Sequence, residues 1–66
     1  MLWLSEILLE HHALNNFDEL IDVIKQKAKT GEIFFRMDLK PNFPDTPEDW
    51  EDRLEAAFTA ALDESR

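Results

Sequence analysis

The sequence contains no cysteine and no tyrosine, a single glycine (Gly31), and only two serines, Ser5 and Ser65. Each shortage removes a class of chemistry. Without cysteine there is neither a disulfide framework nor a thiolate metal site. One glycine cannot build a phosphate-cradling loop. A hydrolytic triad needs a serine beside a positioned histidine. Ser5 stands near His11 and His12 in the chain, but nothing indicates a cleft, and 66 residues offer little scaffold for one. The expectation is a protein that is not an enzyme, with no catalytic residue and no cofactor.

Basic residues are also scarce, seven Lys and Arg against fifteen Asp and Glu, for a net charge of −8. The imbalance is uneven. Residues 1–40 carry seven acids and five bases, whereas residues 41–66 carry eight acids and two bases. This argues against direct binding of nucleic acid, which needs clustered Lys and Arg on the phosphates. It also argues against anionic membrane surfaces, and it permits a basic protein partner. There is no long apolar run. The N-terminal stretch is broken by Ser5, Glu6, Glu10, His11 and His12, too short and polar to span a bilayer, and no basic residue precedes it as in a signal peptide. A soluble cytoplasmic protein is expected, of the size of a bacterial or phage accessory product. No family motif is recognisable.

What is present is apolar enough to fold. Apolar residues make up 44% of the chain, including five Phe and two Trp, which disfavours disorder despite the charge. The length allows one domain, residues 1–66. A chain this short buries only about 60% of its unfolded surface, so small domains commonly add a disulfide, a metal or a second subunit. With the first excluded, self-association is the expected supplement.

Residues 32–39 carry the one strand-like pattern. Ile33, Phe35, Met37 and Leu39 alternate with Phe34, Arg36 and Asp38, giving one apolar and one mostly polar face. Phe34 is the exception on the polar face. A lone strand leaves a row of unpaired backbone groups. Antiparallel pairing with its symmetry mate in a homodimer would satisfy both copies at once. Ile33, Phe34, Phe35, Met37 and Leu39 are therefore the candidate self-association residues.

Helical patterns flank the strand. Leu4, Ile7, Leu8 and His11 place a first helix at about residues 3–13, with Ser5 as an alternative cap and residues 2–4 then extended. Phe17, Leu20, Ile21, Ile24 and Ala28 form a clean stripe for a helix at 16–30. Asn16 is its cap, Glu19 stands at the capping-box position and Gly31 is the stop. Pro41, Pro44 and Pro47 stiffen a connector over residues 40–47, with Phe43 as its anchor. A polyproline ligand reading is weaker. Thr46 as cap and Pro47 as first residue open a last helix at 47–63, with Trp50, Leu54, Ala57, Phe58, Ala61 and Leu62 on its apolar stripe. The expected fold class is α+β, a small helix–helix–strand–helix domain.

Two charged clusters remain. Glu10, His11 and His12 invite a metal reading, but adjacent helical residues point about 100° apart, and zinc would need further ligands. Histidines at a helix C-terminus have an ordinary electrostatic reason to be there, so no metal site is expected. Asp45, Glu48, Asp49, Glu51, Asp52 and Glu55 form the densest acidic run. It lacks the alternation and central glycine of a calcium loop. These six are the candidate partner-binding residues, against the plainer reading of a solvated helix face. The expected function is a small acidic interaction or regulatory module. The alternative is a DNA-mimicking inhibitor of a nucleic-acid-binding protein.

Overall fold

The apolar stripes of the two long helices dictate the body of the fold. In the computed structural model, which describes residues 1–64, α2 spans Phe17–Lys29 and α3 spans Trp50–Glu64. They pack side by side. Phe17, Leu20, Ile24 and Ala28 from α2 and Leu54, Phe58 and Ala61 from α3 share one buried cluster. Both ends of α2 are finished locally. The Asn16 side chain accepts the Glu19 N–H at 2.9 Å. The Glu19 carboxylate reaches back to the Asn15 N–H and the Asn16 amide, both at 3.4 Å, a capping box displaced by one residue. At the other end the Thr30 hydroxyl donates to the Lys27 carbonyl at 2.7 Å. Gly31 follows with φ +103°, a conformation that only glycine adopts without strain.

A shorter layer closes the open side of this pair. It consists of β1 (Leu2–Trp3), α1 (Leu4–Glu10) and β2 (Phe35–Arg36), giving the order β1, α1, α2, β2, α3. The two strands are parallel, with Leu2 opposite Phe35 and Trp3 opposite Arg36. Parallel neighbours need a long crossover, and α1 and α2 provide it. Leu2, Leu4 and Ile7 enter the common core.

Several expected boundaries are corrected. The first helix does not begin at residue 3 or run to 13. Leu2 and Trp3 are drawn into the strand, where the Leu2 N–H donates to the Phe34 carbonyl at 2.8 Å. At the far end His11 leaves helical geometry at ψ 55°. The strand expected over 32–39 is paired only at Phe35–Arg36, because its partner turns into α1 after Trp3 and the ladder has nothing further to pair with. Nor is β2 a single strand, since its partner lies within the same chain. The last helix begins at Trp50 rather than 47. Thr46 does not cap it. Its hydroxyl accepts the Phe43 N–H at 3.1 Å, and its own N–H donates to the Phe43 carbonyl at 3.2 Å. The hydroxyl is thus used to close the connector turn. The Asp49 carbonyl instead accepts the Arg53 N–H at 3.1 Å and opens α3. Pro41, at the start of the connector, is fully buried.

A candidate partner-binding groove between β2 and α3

Where β2 lies across α3, the Phe35 and Phe58 rings meet at a centroid distance of 5.3 Å, tilted by 32°, within the range of a favourable aromatic pair. This contact is the floor of an open groove of about 300 Å³. Ile33, Phe34 and Met37 form one wall, and Glu55, Thr59 and Leu62 on α3 form the other. Phe35, Met37 and Leu62 are half-buried. By contrast Ile33 and Phe34 are 67% and 62% exposed. Isolated exposed apolar residues are ordinary, but adjacent ones bordering a groove with an aromatic floor mark a surface suited to contact.

The backbone of β2 is also incomplete along the edge away from β1. Backbone groups alternate direction along a strand. With the Phe34 carbonyl turned to Leu2, the N–H and carbonyl of Phe35 face away from β1. The sheet has two strands only among the described residues, so this outer edge of β2 is unpaired.

The residues expected to mediate self-association are therefore partly gathered here. Ile33, Phe34, Phe35 and Met37 line the groove, whereas Leu39, 43% exposed, is not in its lining. The expected division of faces needs correction. Ile33 and Leu39 do not share the burial of Phe35 and Met37, because alternation holds only where a strand is held flat by a partner, and this ladder is two residues long. Phe58, Thr59 and Leu62 join the site without having been singled out from the sequence. Phe58 and Leu62 read there simply as core stripe.

The acidic run is split by the fold. Glu48, Glu51, Asp52 and Glu55 are exposed and make no ion pair among the described residues. Only Glu55 reaches the groove. Asp49 is engaged by the Arg53 Nε at 2.8 Å, and that hydrogen bond holds its carboxyl below the ordinary value. Asp45 serves α2. Its Oδ1 accepts the Phe17 N–H at 2.8 Å, satisfying a helix-end donor from a distant part of the chain. Asp38 does the same for α1, accepting the Ser5 N–H at 3.0 Å. The Ser5 hydroxyl, and after it this N–H, hold the Asp38 carboxyl below its ordinary value. Ser5 is thus occupied with Asp38 rather than aimed at a histidine.

Elsewhere, His11 borders a smaller hollow of about 190 Å³ with Val23, Gln26, Lys27 and Thr30. No group of three or more His, Cys, Asp or Glu is placed to hold a metal among the described residues. No helix among them is long and apolar enough to cross a membrane. The chain matches no protein-family model, and no curated protein or solved structure is detectably similar to it.

Proposed function

We propose that the protein is a non-catalytic interaction module whose working surface is the groove between β2 and α3. The observation that carries this reading is the exposure of Ile33 and Phe34 beside an apolar floor and an unpaired strand edge. Edges and apolar faces of this kind are usually covered or blunted when they have no partner. A homodimer seated on the outer edge of β2 is one form such an interaction takes. The intrachain partner β1 satisfies the other edge, which removes part of the demand for a second copy.

The test is site-specific photo-cross-linking in the host cell. A photoreactive phenylalanine analogue at Phe34 should trap a defined protein, while the same analogue at Leu9, exposed but away from the groove, should not. Equal trapping from both positions, or none from Phe34, would contradict the reading.

Glu48, Glu51, Asp52 and Glu55, without ion pairs among the described residues, support a second reading, a DNA-mimicking inhibitor. A mimic should compete with DNA for its target and lose affinity steeply with salt. Binding through the groove, which holds one charged residue among those described, should depend only weakly on salt. Changing Glu48, Glu51 and Asp52, none of which lines the groove, to lysine should abolish binding by a mimic while leaving the helices formed. A target bound equally well by this variant would exclude the second reading.

A further inference from the structure

Resting on the groove as the working surface, we infer the chemistry of its occupant. It is an extended segment of another protein, with apolar side chains at alternate positions and a Lys or Arg beside them, added as a strand to the outer edge of β2. Three features of the groove carry this. The Phe35 N–H and carbonyl offer a strand-like partner two backbone hydrogen bonds, the mode in which main-chain bonds give affinity and alternate side chains give specificity. The floor at Phe35 and Phe58 and the exposed side chains of Ile33 and Phe34 offer apolar contact for every second residue of such a strand. Among the described residues Glu55 is the one charged residue lining the groove, exposed and without an ion pair. With Arg36 of β2 outside the lining, the exposed Glu55 carboxylate favours a basic side chain beside it and disfavours an acidic one.

The same charge argues against a second copy as occupant. Antiparallel pairing of two β2 edges about Phe35 sets Ile33 against Met37 of the second copy, which is favourable. It also sets Glu32 against Asp38 of the second copy, and like charges directly opposite are destabilising. Because α3 is the other wall of the groove, a second copy brings its own Glu55 toward the same rim. Each copy adds a net charge of −8.

The experiment is a selection from a library of random ten-residue peptides against the intact protein, and in parallel against Glu55→Lys. The strongest binders from each are then measured by fluorescence anisotropy and mapped by amide chemical shifts. Wild type should enrich peptides with alternating apolar residues and net positive charge, and these should shift the amides of Ile33, Phe35 and Thr59. Glu55→Lys should weaken them by about fivefold, the upper range of one exposed ion pair, and should enrich acidic peptides instead. N-methylation at alternate backbone positions of the best peptide should abolish binding in one register and spare it in the other. Groove-mapped peptides with no charge preference would overturn this inference and leave the groove reading standing. Enriched peptides that shift no groove residue would overturn both. A protein that sediments as a dimer of its 7.8 kDa chain, dissociated by peptides that occupy the groove, would assign the site to a second copy and overturn the inference.

Discussion

α2 and residues 32–39 each carry five large apolar side chains, yet the fold treats them differently. In α2 the residues Phe17, Leu20, Ile24 and Ala28 are all buried against α3. Of the apolar residues in 32–39 only Phe35 and Met37 are even half-buried, while Ile33, Phe34 and Leu39 stand in solvent. A helix brings its stripe to a partner along its whole length. A strand does so only while its neighbour lasts, and β1 lasts two residues. Apolar content therefore serves stability in the first region and remains available for contact in the second.

If that contrast is right, truncations should fall in a definite order. Phe58→Ala removes a buried ring from the helix pair and from the groove floor. It should cost about 3–5 kcal/mol, which in a domain with about 5 kcal/mol in hand leaves little folded protein. Circular dichroism at room temperature should show the loss. Phe35→Ala removes the opposing ring of the same pair, but from a half-buried position. It should cost about 2 kcal/mol, less than full burial of a Phe gives, and lower the urea midpoint without abolishing the transition. Equal damage from the two would mean that β2 is as firmly packed as α3.

Next in size is Asp45→Ala. Loss of the hydrogen bond to the Phe17 N–H should cost about 1 kcal/mol, in line with other helix-end acceptors. An unchanged midpoint would show that water replaces the carboxylate freely and would return Asp45 to the acidic surface. A smaller effect, visible through its pH dependence, is expected at Asp38. Its carboxyl is lowered chiefly by the Ser5 hydroxyl and then by the Ser5 N–H. A lowered carboxyl stabilises the fold above its unfolded value, 3.8 in the ordinary case, and loses that contribution as pH falls through the lower folded value. Asp38→Asn should therefore melt below wild type at neutral pH, with the gap closing as the solution is acidified past the ordinary carboxylate range. A gap that widened in acid would reverse the assignment.

The parts of this architecture legible in the sequence are those encoded by near neighbours. Asn16, Glu19 and Gly31 announce the ends of α2 from within its own stretch. The stripe on α3 similarly marks Leu54, Phe58 and Ala61 as core. What was not legible depends on partners far along the chain. Leu2 and Trp3 extend the helical stripe of Leu4 and Ile7, and only pairing with Phe35 and Arg36 draws them into a strand. Asp38 and Asp45 read as surface charge until the fold brings them to the first turns of α1 and α2. Thr46 has the local signature of a helix cap, and its hydroxyl is taken by Phe43 instead. For the site, alternation points to Ile33, Phe35, Met37 and Leu39 with Phe34 as the exception, and of these only Leu39 is outside the groove lining. Thr59 carried no signal, because its place on the groove wall follows from how α3 is rotated against β2.

The smallest expected effect on folding is also the most direct test. If Ile33 and Phe34 serve contact with a partner, they contribute little to the stability of the isolated chain. The urea unfolding free energy of the double variant Ile33→Ser, Phe34→Ser, measured on isolated protein at micromolar concentration, separates these roles. The expected change is within about 0.5 kcal/mol of wild type, as for surface substitutions that touch no packed feature, together with loss of cross-linking and peptide binding at the groove. A loss of stability approaching that of Phe58→Ala would contradict it, by showing that the two side chains belong to the core of the folded chain.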